Sequence, residues 1–263
     1  MRSVVCYLFF IIFSFYSCQG QENKSKINIV KIQSLKSSIK CKNYKEKFDF
    51  NFPDILGKNE NNFFNNVIIK DYLNYLDIEN KIMTPKKLIG IAIDKRKKEC
   101  ENNNFSGFIN SEYNITYNNG KLLSINMNYE SLAGSINIDT YYYNFDVQKK
   151  RILQYSDILK DDKTNELIKM CNKILNERLK NLYAENKDEL DESDVYKSLI
   201  DSKSIFNKSN LDSFSLEGKG IKFIFNYGFP NGVFDIDNNL YFSYKDFQKY
   251  FSQDFQKKLK NEI

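Results

Sequence analysis

Residues 111–129 read SEYNITYNNGKLLSINMNY, and residues 139–147 read DTYYYNFDV. In both stretches apolar or aromatic residues alternate with polar ones, the period-two pattern of a strand with one buried face. Asn118-Asn119-Gly120 interrupts the first stretch with a turn signal typical of a β-hairpin. Residues 148–150 form a second turn signal, after which residues 151–155 are predicted to form the returning strand. The sequence therefore predicts three or four adjacent antiparallel strands in the middle of the chain.

On either side of these strands, apolar residues recur at helical spacing. They do so in residues 62–76, in residues 164–184 and in the segment that follows Ser243, so amphipathic helices are predicted there. Residues 48–52, which end at Pro53, and residues 221–227 alternate like strands. Strands and helices do not alternate regularly, so the predicted fold class is α+β: mainly antiparallel sheets packed by a few amphipathic helices.

Two charged segments are predicted to be solvated. Residues 94–99, DKRKKE, fit the exposed end of a helix, and residues 185–210 fit a polar loop. The loop carries the carboxylates Asp188, Glu189, Asp191, Glu192 and Asp194. General acid and base catalysis needs a rigid, partly buried pair of groups, so neither segment is favoured as a site.

The first residues have the pattern of an export signal. Met1-Arg2 is a basic start, and residues 4–15 are an apolar run, shorter than the roughly 20 residues that cross a bilayer as a helix. The run closes with Phe15-Tyr16-Ser17-Cys18, which resembles a lipobox and implies that Cys18 is diacylated, with palmitate for example, as the first mature residue. Two other interpretations stay open: a secretory signal with an incidental Cys18, and an uncleaved N-terminal anchor.

The composition excludes several kinds of site. The chain has no histidine, so a Ser-His-Asp or Cys-His system, a histidine zinc ligand and a histidine general base are all excluded. Removal of residues 1–17, whose one charged residue is Arg2, lowers the formal charge from +5 to +4. No dense Lys/Arg stripe appears, so we expect no nucleic-acid partner. We also expect no cofactor and no metal, because Leu240 stands where a calcium loop after Asp235 would need glycine.

Three cysteines remain once the one inside the signal and Cys18 are set aside. Cys171 falls on the apolar face of the helix predicted for residues 164–184, so we interpret it as a small core residue. We therefore predict a disulfide between Cys41 and Cys100, which suits an oxidising compartment. Three free thiols are the alternative.

Two regions resemble the RsiV-like and PdaC N-terminal-like envelope domains. The first is residues 141–146, YYYNFD, with residues 155–159, YSDIL. The second is residues 220–227, GIKFIFNY, with residues 244–247, YKDF. They occur in the family's order and place the resemblance over roughly residues 45–258. The resemblance implies an extracytoplasmic α+β module that binds and is not known to catalyse; relatives adjoin peptidoglycan deacetylases or form ectodomains of anti-sigma factors, one of which senses lysozyme.

This resemblance also suggests a division of the chain. We predict a lipoprotein signal peptide over residues 1–17 and a tether over residues 18–40. A PdaC N-terminal-like α+β subdomain would follow over residues 41–160, and an RsiV-like C-terminal α+β subdomain over residues 161–263.

The candidate binding residues lie at the tyrosine-rich strand. Family members carry a GGAHG-like loop before this strand, whereas residues 133–137 read AGSIN here. The resemblance makes Gly134 and Ser135 candidates without the histidine. Tyr142 is the third candidate, because alternate strand residues face opposite sides and Tyr142 would point outward while Tyr141 and Tyr143 enter the core. The alternative is that all three rings pack inside.

The expected function is that of a non-catalytic envelope lipoprotein. It would be attached to a membrane by its lipid anchor, face the periplasm or the cell surface, and bind a cell-wall glycan or an envelope protein. A basic chain would not steer cationic lysozyme. The alternative function is a carboxylate-dependent glycan hydrolase, although the sequence marks no catalytic residue.

Overall fold

The computed structural model describes residues 29–42, 45, 47–56, 62–79, 81–202, 204–229 and 232–259. The predicted signal peptide, Cys18 and the first part of the tether lie outside these residues. The lipid anchor therefore stays a prediction.

The secondary structure of the described residues is as follows. The strands are β1 (Ile32–Lys40), β2 (Lys47–Ile55), β3 (Gly107–Asn118), β4 (Leu122–Ala133), β5 (Ser135–Asp146), β6 (Arg151–Ile152), β7 (Phe214–Glu217), β8 (Gly220–Ile224) and β9 (Asn239–Ser243). The α-helices are α1 (Phe63–Tyr75), α2 (Pro85–Glu101), α3 (Tyr155–Ile158), α4 (Asp161–Glu185), α5 (Lys187–Asp191), α6 (Asp194–Asp201), α7 (Tyr244–Phe247) and α8 (Gln253–Lys258). Two 3₁₀ turns cover Lys208–Asp212 and Gln248–Tyr250.

The strands form two sheets. The larger sheet has the order β1-β2-β3-β4-β5-β6, and the smaller has the order β7-β8-β9. Every pair is antiparallel except β2 and β3, which run parallel where Phe50 lies beside Ser111. The predicted α+β class with mainly antiparallel sheets is confirmed.

Strand β2 continues beyond the predicted end at Pro53. Pro53 pairs with Ser34 of β1, and β2 runs on to Ile55. The Asn51 N–H points toward β3, where it donates to Ser111 Oγ at 3.0 Å, so the nitrogen of Pro53 also faces β3. The β2–β3 ladder has already separated there, and a proline without an N–H is tolerated.

Helices α1 and α2 cover one face of the larger sheet. The alternate residues Phe48, Phe50 and Phe52 of β2 point into this first core and are at most 2% exposed. Asn62 caps α1 and Thr84 caps α2 through their side-chain oxygens, which satisfies N–H groups that have no partner inside the helix. The predicted helix over residues 62–76 is confirmed.

The charged segment 94–99 is not wholly solvated. It lies in α2 as predicted, but Arg96 is 2% exposed and donates to the carbonyls of Ser106 and Phe108. Its guanidinium also lies over the Phe48 ring, 4.9 Å from the centroid. A buried cation persists only when it is paired and hydrogen-bonded, so this arginine is a structural part of the first core.

The predicted disulfide is present. It joins Cys41, directly after β1, to Cys100 in the last turn of α2, with the Cα atoms 5.6 Å apart. Cys171 is a free, buried cysteine on α4, as predicted. The disulfide therefore fastens the outer strand of the larger sheet to the helix that covers it.

A second core lies between α4, the smaller sheet and the C-terminal helices. The predicted polar loop over residues 185–210 is wrong in part, because it contains α5 and α6, whose apolar residues Leu190 and Tyr196 join this core. The predicted final helix is broken. The Lys160 N–H donates to the carbonyl of Tyr250 at 2.9 Å and Leu159 bridges Phe251, so tertiary contacts end the helix before α8.

The two cores meet at a polar layer. Strand β7 crosses the face of the larger sheet opposite to α1, and Ser124 on β4 donates to Asn144 on β5 at 2.7 Å. Asn144 then donates to the carbonyl of Phe214 at 2.6 Å, and Ser215 Oγ lies 3.1 Å from Asn126 Oδ1. Buried polar groups are costly unless they are hydrogen-bonded, so this network fixes where β7 docks on the sheet.

Candidate binding site at the free edge of the sheet

Strand β5 has an open edge over most of its length. It pairs with β4 from Ser135 to Asp146, but β6 pairs only with its last residues, Phe145 and Asp146. The predicted strand over residues 139–147 is thus confirmed and begins four residues earlier. No strand of the described chain lies beside residues 135–143 on that side.

The register shows which backbone groups point out from this edge. The Asn144 carbonyl faces β6 and accepts from the Leu153 N–H at 2.8 Å, whereas the Val147 N–H faces inward to the Lys121 carbonyl. Alternate residues of an antiparallel strand direct their N–H and C=O to opposite sides, and the β4–β5 ladder has no register shift. The residues with outward N–H and C=O groups are therefore Ile136, Ile138, Thr140 and Tyr142.

The side chains of these four residues lie on the face that β7 crosses further along. Ile136 and Ile138 are 53% and 54% exposed. Tyr142 is half-buried, and its pKa lies above its ordinary value. Burial is the main cause and the charge of Glu217 acts in the same direction, whereas a hydrogen bond with Thr140 acts in the opposite direction. This part of β5 thus presents apolar side chains and an amphipathic ring to solvent.

The opposite face of the edge carries a tyrosine–aspartate cluster. Its members are Asp71 and Tyr75 of α1, Tyr129 of β4, and Asp139, Tyr141 and Tyr143 of β5. Tyr75 stacks on Tyr129 with the ring centroids 4.5 Å apart, and Tyr141 stands edge-on to Tyr129 at 5.4 Å. The Tyr75 hydroxyl donates to Asp139 at 2.7 Å and the Tyr143 hydroxyl donates to Asp71 at 2.8 Å.

The environment of the cluster raises the pKa values of its buried phenols. Burial raises the pKa of Tyr143 far above its ordinary value, and the neighbouring Tyr129 and Asp71 raise it further. Burial likewise raises the pKa of Tyr129. Neither Asp71 nor Asp139 has a Lys or Arg nitrogen within 4.0 Å in the part of the chain that the structure describes. The edge therefore carries negative charge that no described cation neutralises.

The rest of the face that carries Ile136 and Tyr142 is polar and open. Thr140 donates to Asn128 at 2.9 Å, and Asn110 donates to Glu130 at 2.7 Å. Towards β1 the face sinks into a depression of about 310 Å³, lined by Lys36, Ser37, Ser38, Lys47, Asp49, Asn51 and Glu112. Amide, hydroxyl and carboxylate groups thus follow one another across the sheet.

The three residues chosen from the sequence lie along this edge. Gly134 is at the tip of the β4–β5 hairpin with φ +81°, a conformation that favours glycine,, and Ser135 beside it is exposed. Tyr142 faces away from Tyr143, as predicted. Tyr141 is 39% exposed rather than part of the core, because it lies at the rim of the cluster. No contact made by these residues tests their role, so their binding function stays a prediction.

Ile136, Ile138 and the cluster were not among the residues predicted from the sequence. A signal was present in β5 itself: the apolar residues occupy even positions at Ile136 and Ile138 and odd positions from Tyr141 onward. A strand without a bulge keeps its faces, so one of these two sets must be exposed.

The acidic residues of the family-like motif are structural. Asp146 is fully buried, binds the Lys258 ammonium and accepts from the Lys149 N–H at 3.0 Å. Burial acts to raise the pKa of Asp146, but Lys258 and this N–H outweigh it and hold the pKa below the ordinary value. Asp157 forms a two-point pair with Arg151. The first pair fastens the end of β5 to α8, and the second fastens β6 to α3.

Comparison with known proteins gives the fold of the chain. No family model matches it, and no curated protein matches it. A member of the DUF3298 family from Bacteroides fragilis NCTC 9343 superposes with a TM-score of 0.52 at 14% identity, covering 86% of this chain and 94% of its own. A DUF3298 family protein from Pseudomonas aeruginosa PAO1 gives 0.51 at 9% identity, covering 86% and 96%.

The chain shares the DUF3298 fold. This shared fold agrees with the α+β module that the resemblance of residues 141–146 and 220–227 implies. No helix of the described chain is both long and apolar enough to cross a membrane. No three His, Cys, Asp or Glu side chains are grouped for a metal within the same residues.

Proposed function

We propose that the protein is a non-catalytic binding module, held at the cell envelope by lipid on Cys18, that takes up an extended segment of a partner protein along β5. The open edge of β5 carries this proposal. A long edge strand with exposed apolar residues invites pairing with another chain, and proteins ordinarily block such edges with charges, prolines or bulges. Between Ile136 and Tyr142 there is no proline and no bulge, and the one charged residue, Asp139, lies on the face toward α1, where it accepts from the Tyr75 hydroxyl.

An added strand would meet two different surfaces. Its backbone would pair with the outward groups of Ile136, Ile138, Thr140 and Tyr142, as in other cases of strand addition. On one face its side chains would contact the two isoleucines. On the other face they would meet Tyr141 and the charged Asp139, which suit a Lys or Arg side chain through cation–π and ionic contacts. The favoured partner segment therefore alternates apolar and basic residues.

Photo-crosslinking in cells tests the edge. Benzoyl-phenylalanine at position 138 should give a discrete protein adduct, whereas the same group at position 200 should not. Ile200 on α6 is the matched control, because both isoleucines are 54% exposed. The same adducts from both positions, or none from position 138, would refute the proposal.

A proline at the edge separates strand addition from side-chain contact alone. Thr140→Pro removes one outward N–H and leaves the inward hydrogen bonds of β5 to β4 in place, so the adduct at position 138 should fall at least tenfold. The hydrogen bond from Thr140 to Asn128 is also lost, so Thr140→Val serves as the control for that loss. An adduct that Thr140→Pro leaves unchanged would rule out backbone pairing.

A second candidate ligand is a cell-wall glycan on the open polar face. On this face, Asn110 of β3 and Asn128 and Glu130 of β4 offer hydrogen-bond groups of the kind that bind sugars. Tyr142 offers an aromatic ring beside them. Sedimentation with purified peptidoglycan tests it: Asn128→Ala with Glu130→Ala should reduce the bound fraction if the glycan is the ligand. An assay for released sugar in the same samples tests the glycan hydrolase alternative, and turnover would overturn the non-catalytic proposal.

The anchor has its own test. Palmitate labelling should be present in the wild type and absent in Cys18→Ser. Equal labelling of both proteins, or labelling of neither, would remove the lipid from the proposal and leave the binding edge untouched.

A further inference from the structure

One end of the larger sheet holds the first described residues of the chain. Strand directions place the start of β1, the end of β2, the β3–β4 turn and the β5–β6 turn at this end. We call it the entry end and define it as residues 29–31, Leu56, residues 118–121, residues 147–150 and residues 257–258. The β4–β5 hairpin tip at Gly134 lies at the opposite end.

Hydrogen bonds join these segments into one surface. The Val30 N–H donates to Asn118 Oδ1 at 3.0 Å, and Asn118 donates back to the Val30 carbonyl at 2.8 Å. Asn119 donates to the carbonyl of Lys258 at 2.9 Å, and the Lys121 ammonium donates to the carbonyl of Lys257 at 3.3 Å. The first described residues of the chain are therefore fixed to the turn of the sheet.

The entry end combines exposed lysines with exposed apolar side chains. Lys31, Lys149 and Lys150 are exposed and form no ion pair with any described residue. Ile29 is 60% exposed and Leu56 is 50% exposed. These two lie together, because the Leu56 N–H donates to the carbonyl of Lys31 at 2.9 Å.

The proposed anchor holds this end close to a bilayer. Ten residues, 19–28, separate Cys18 from Ile29. A chain of that length reaches at most about 35 Å when fully extended and spans roughly 18 Å as a flexible coil. The tether therefore keeps the entry end within reach of the lipid headgroups.

We propose that the entry end is a membrane-contact surface that binds anionic phospholipid headgroups, a proposal that rests on the lipid anchor of the proposed function. Lys31, Lys149 and Lys150 would contact the phosphates while Ile29 and Leu56 enter the interfacial layer, a combination that favours binding at a membrane surface. This contact would orient the hairpin tip and the open edge of β5 away from the membrane.

Vesicle sedimentation of the unlipidated mature chain carrying Cys18→Ser tests this surface without the anchor. The chain should bind vesicles of phosphatidylcholine with 30% phosphatidylglycerol at low salt. It should bind pure phosphatidylcholine at least tenfold more weakly. One lysine near an anionic bilayer strengthens binding roughly fivefold, so Lys31→Glu with Lys149→Glu and Lys150→Glu should lower the partition coefficient at least tenfold.

The matched control changes the same charge at the other end. Lys40, Lys42 and Lys97 are also exposed, and their replacement by Glu should change the partition coefficient less than threefold, with circular dichroism showing that both variants fold. Equal losses in both variants, no binding to anionic vesicles, or binding of the entry end to an anionic wall polymer in preference to vesicles would each overturn the proposal. Because the chain carries no lipid, failure here leaves the palmitate result and the role of β5 unaffected.

Discussion

The two open edges of the larger sheet, along β1 and β5, differ in the residues at their outward positions. The Lys31 carbonyl faces β2, where it accepts from the Leu56 N–H, so the outward residues of β1 are the even-numbered ones. The series begins with the partly buried Ile32, and its other members, Ser34, Lys36, Ser38 and Lys40, are polar and exposed. The corresponding residues of β5 are Ile136, Ile138, Thr140 and Tyr142. The outward positions of β1 include two lysines, whereas those of β5 include no charged residue and two exposed isoleucines.

The two edges are also fastened differently. The disulfide from Cys41 to Cys100 attaches the end of β1 to α2. The open part of β5 is attached to α1 only by side-chain contacts, among them the hydrogen bonds of the Tyr75 and Tyr143 hydroxyls. The same sheet therefore has one edge with exposed polar residues and one edge with exposed apolar residues. The difference between the edges is the reason why we propose partner binding at β5.

Removing the disulfide should have the largest effect on stability. Replacing both Cys41 and Cys100 with Ser opens a link across 59 residues, for which the chain-entropy treatment gives roughly 4 kcal/mol of lost stability. Urea unfolding of the double variant checks this value.

Reductant provides the control for the disulfide. It should destabilise the wild type and leave the double variant unchanged, since Cys171 is buried and free. If unfolding midpoints of the two proteins coincide without reductant, the disulfide does not fasten the β1 edge.

Removing the cation at the other end of β5 should have the next largest effect. Lys258→Met leaves the buried Asp146 charge uncompensated, which costs about 3 kcal/mol near neutral pH. The folded pKa of Asp146 is lowered, so its stabilisation is present above about pH 4, the unfolded value, and is lost as pH falls further. The gap between wild type and variant should therefore narrow below pH 4.

The neighbouring ion pair is the control for this prediction. Lys257 pairs with Asp254 at 3.5 Å, but both side chains are more than 70% exposed, so Lys257→Met should change stability by less than about 0.5 kcal/mol. A gap between Lys258→Met and the wild type that stays constant from pH 7 to pH 3 would contradict the assignment to Asp146.

The sequence predicts the central strands well because their pattern is local. Alternation and the Asn118-Asn119-Gly120 turn are sufficient for the β3–β4 hairpin, and the helical spacing of leucines is sufficient for α4. The disulfide was also predictable, since Cys171 falls on the apolar face of that helix. The strands and α4 depend on residues close together in the chain, whereas the disulfide followed from setting Cys171 aside.

The rest depends on contacts between distant residues. The single C-terminal helix was predicted from spacing alone, but Leu159 and Lys160 contact Phe251 and Tyr250 and end it. Arg96 was assigned to solvent, because nothing near it in sequence shows that Phe48 and the carbonyl of Phe108 surround it. The candidate edge was only partly predictable: Tyr142 faces as expected, whereas the openness of β5 follows from the short length of β6.

Weakening the link between β5 and α1 should have a smaller effect. Tyr143→Phe removes the hydrogen bond to Asp71 and should lower stability by about 1.5 kcal/mol. Burial raises the folded pKa of Tyr143, so its contribution is complete below about pH 10, the unfolded value, and is lost as pH rises above it. The wild type should therefore lose more stability than Tyr143→Phe between pH 9 and pH 11.

Absorbance at 295 nm during alkaline titration monitors the same phenols. The exposed Tyr241 on β9 supplies the control, since Tyr241→Phe leaves the cluster intact and should keep the alkaline loss of the wild type. Parallel stability curves for the wild type and Tyr143→Phe up to pH 11 would separate the alkaline transition from this tyrosine.

Exchanging the character of the two edges should have the smallest effect on stability and the clearest effect on association. Ile138→Lys and Lys36→Ile each alter an exposed side chain, so each should change the unfolding free energy by less than about 0.5 kcal/mol. Ile138→Lys places a lysine at an outward position of β5, as in β1, and should abolish the adducts formed by benzoyl-phenylalanine at position 136.

Lys36→Ile gives β1 an apolar outward residue, and light scattering should show concentration-dependent association that Ser38→Pro in the same chain suppresses. If Lys36→Ile stays monomeric while Ile138→Lys retains its partner, edge chemistry does not distinguish the two strands, and the binding role of β5 would have to come from the tyrosine–aspartate cluster alone.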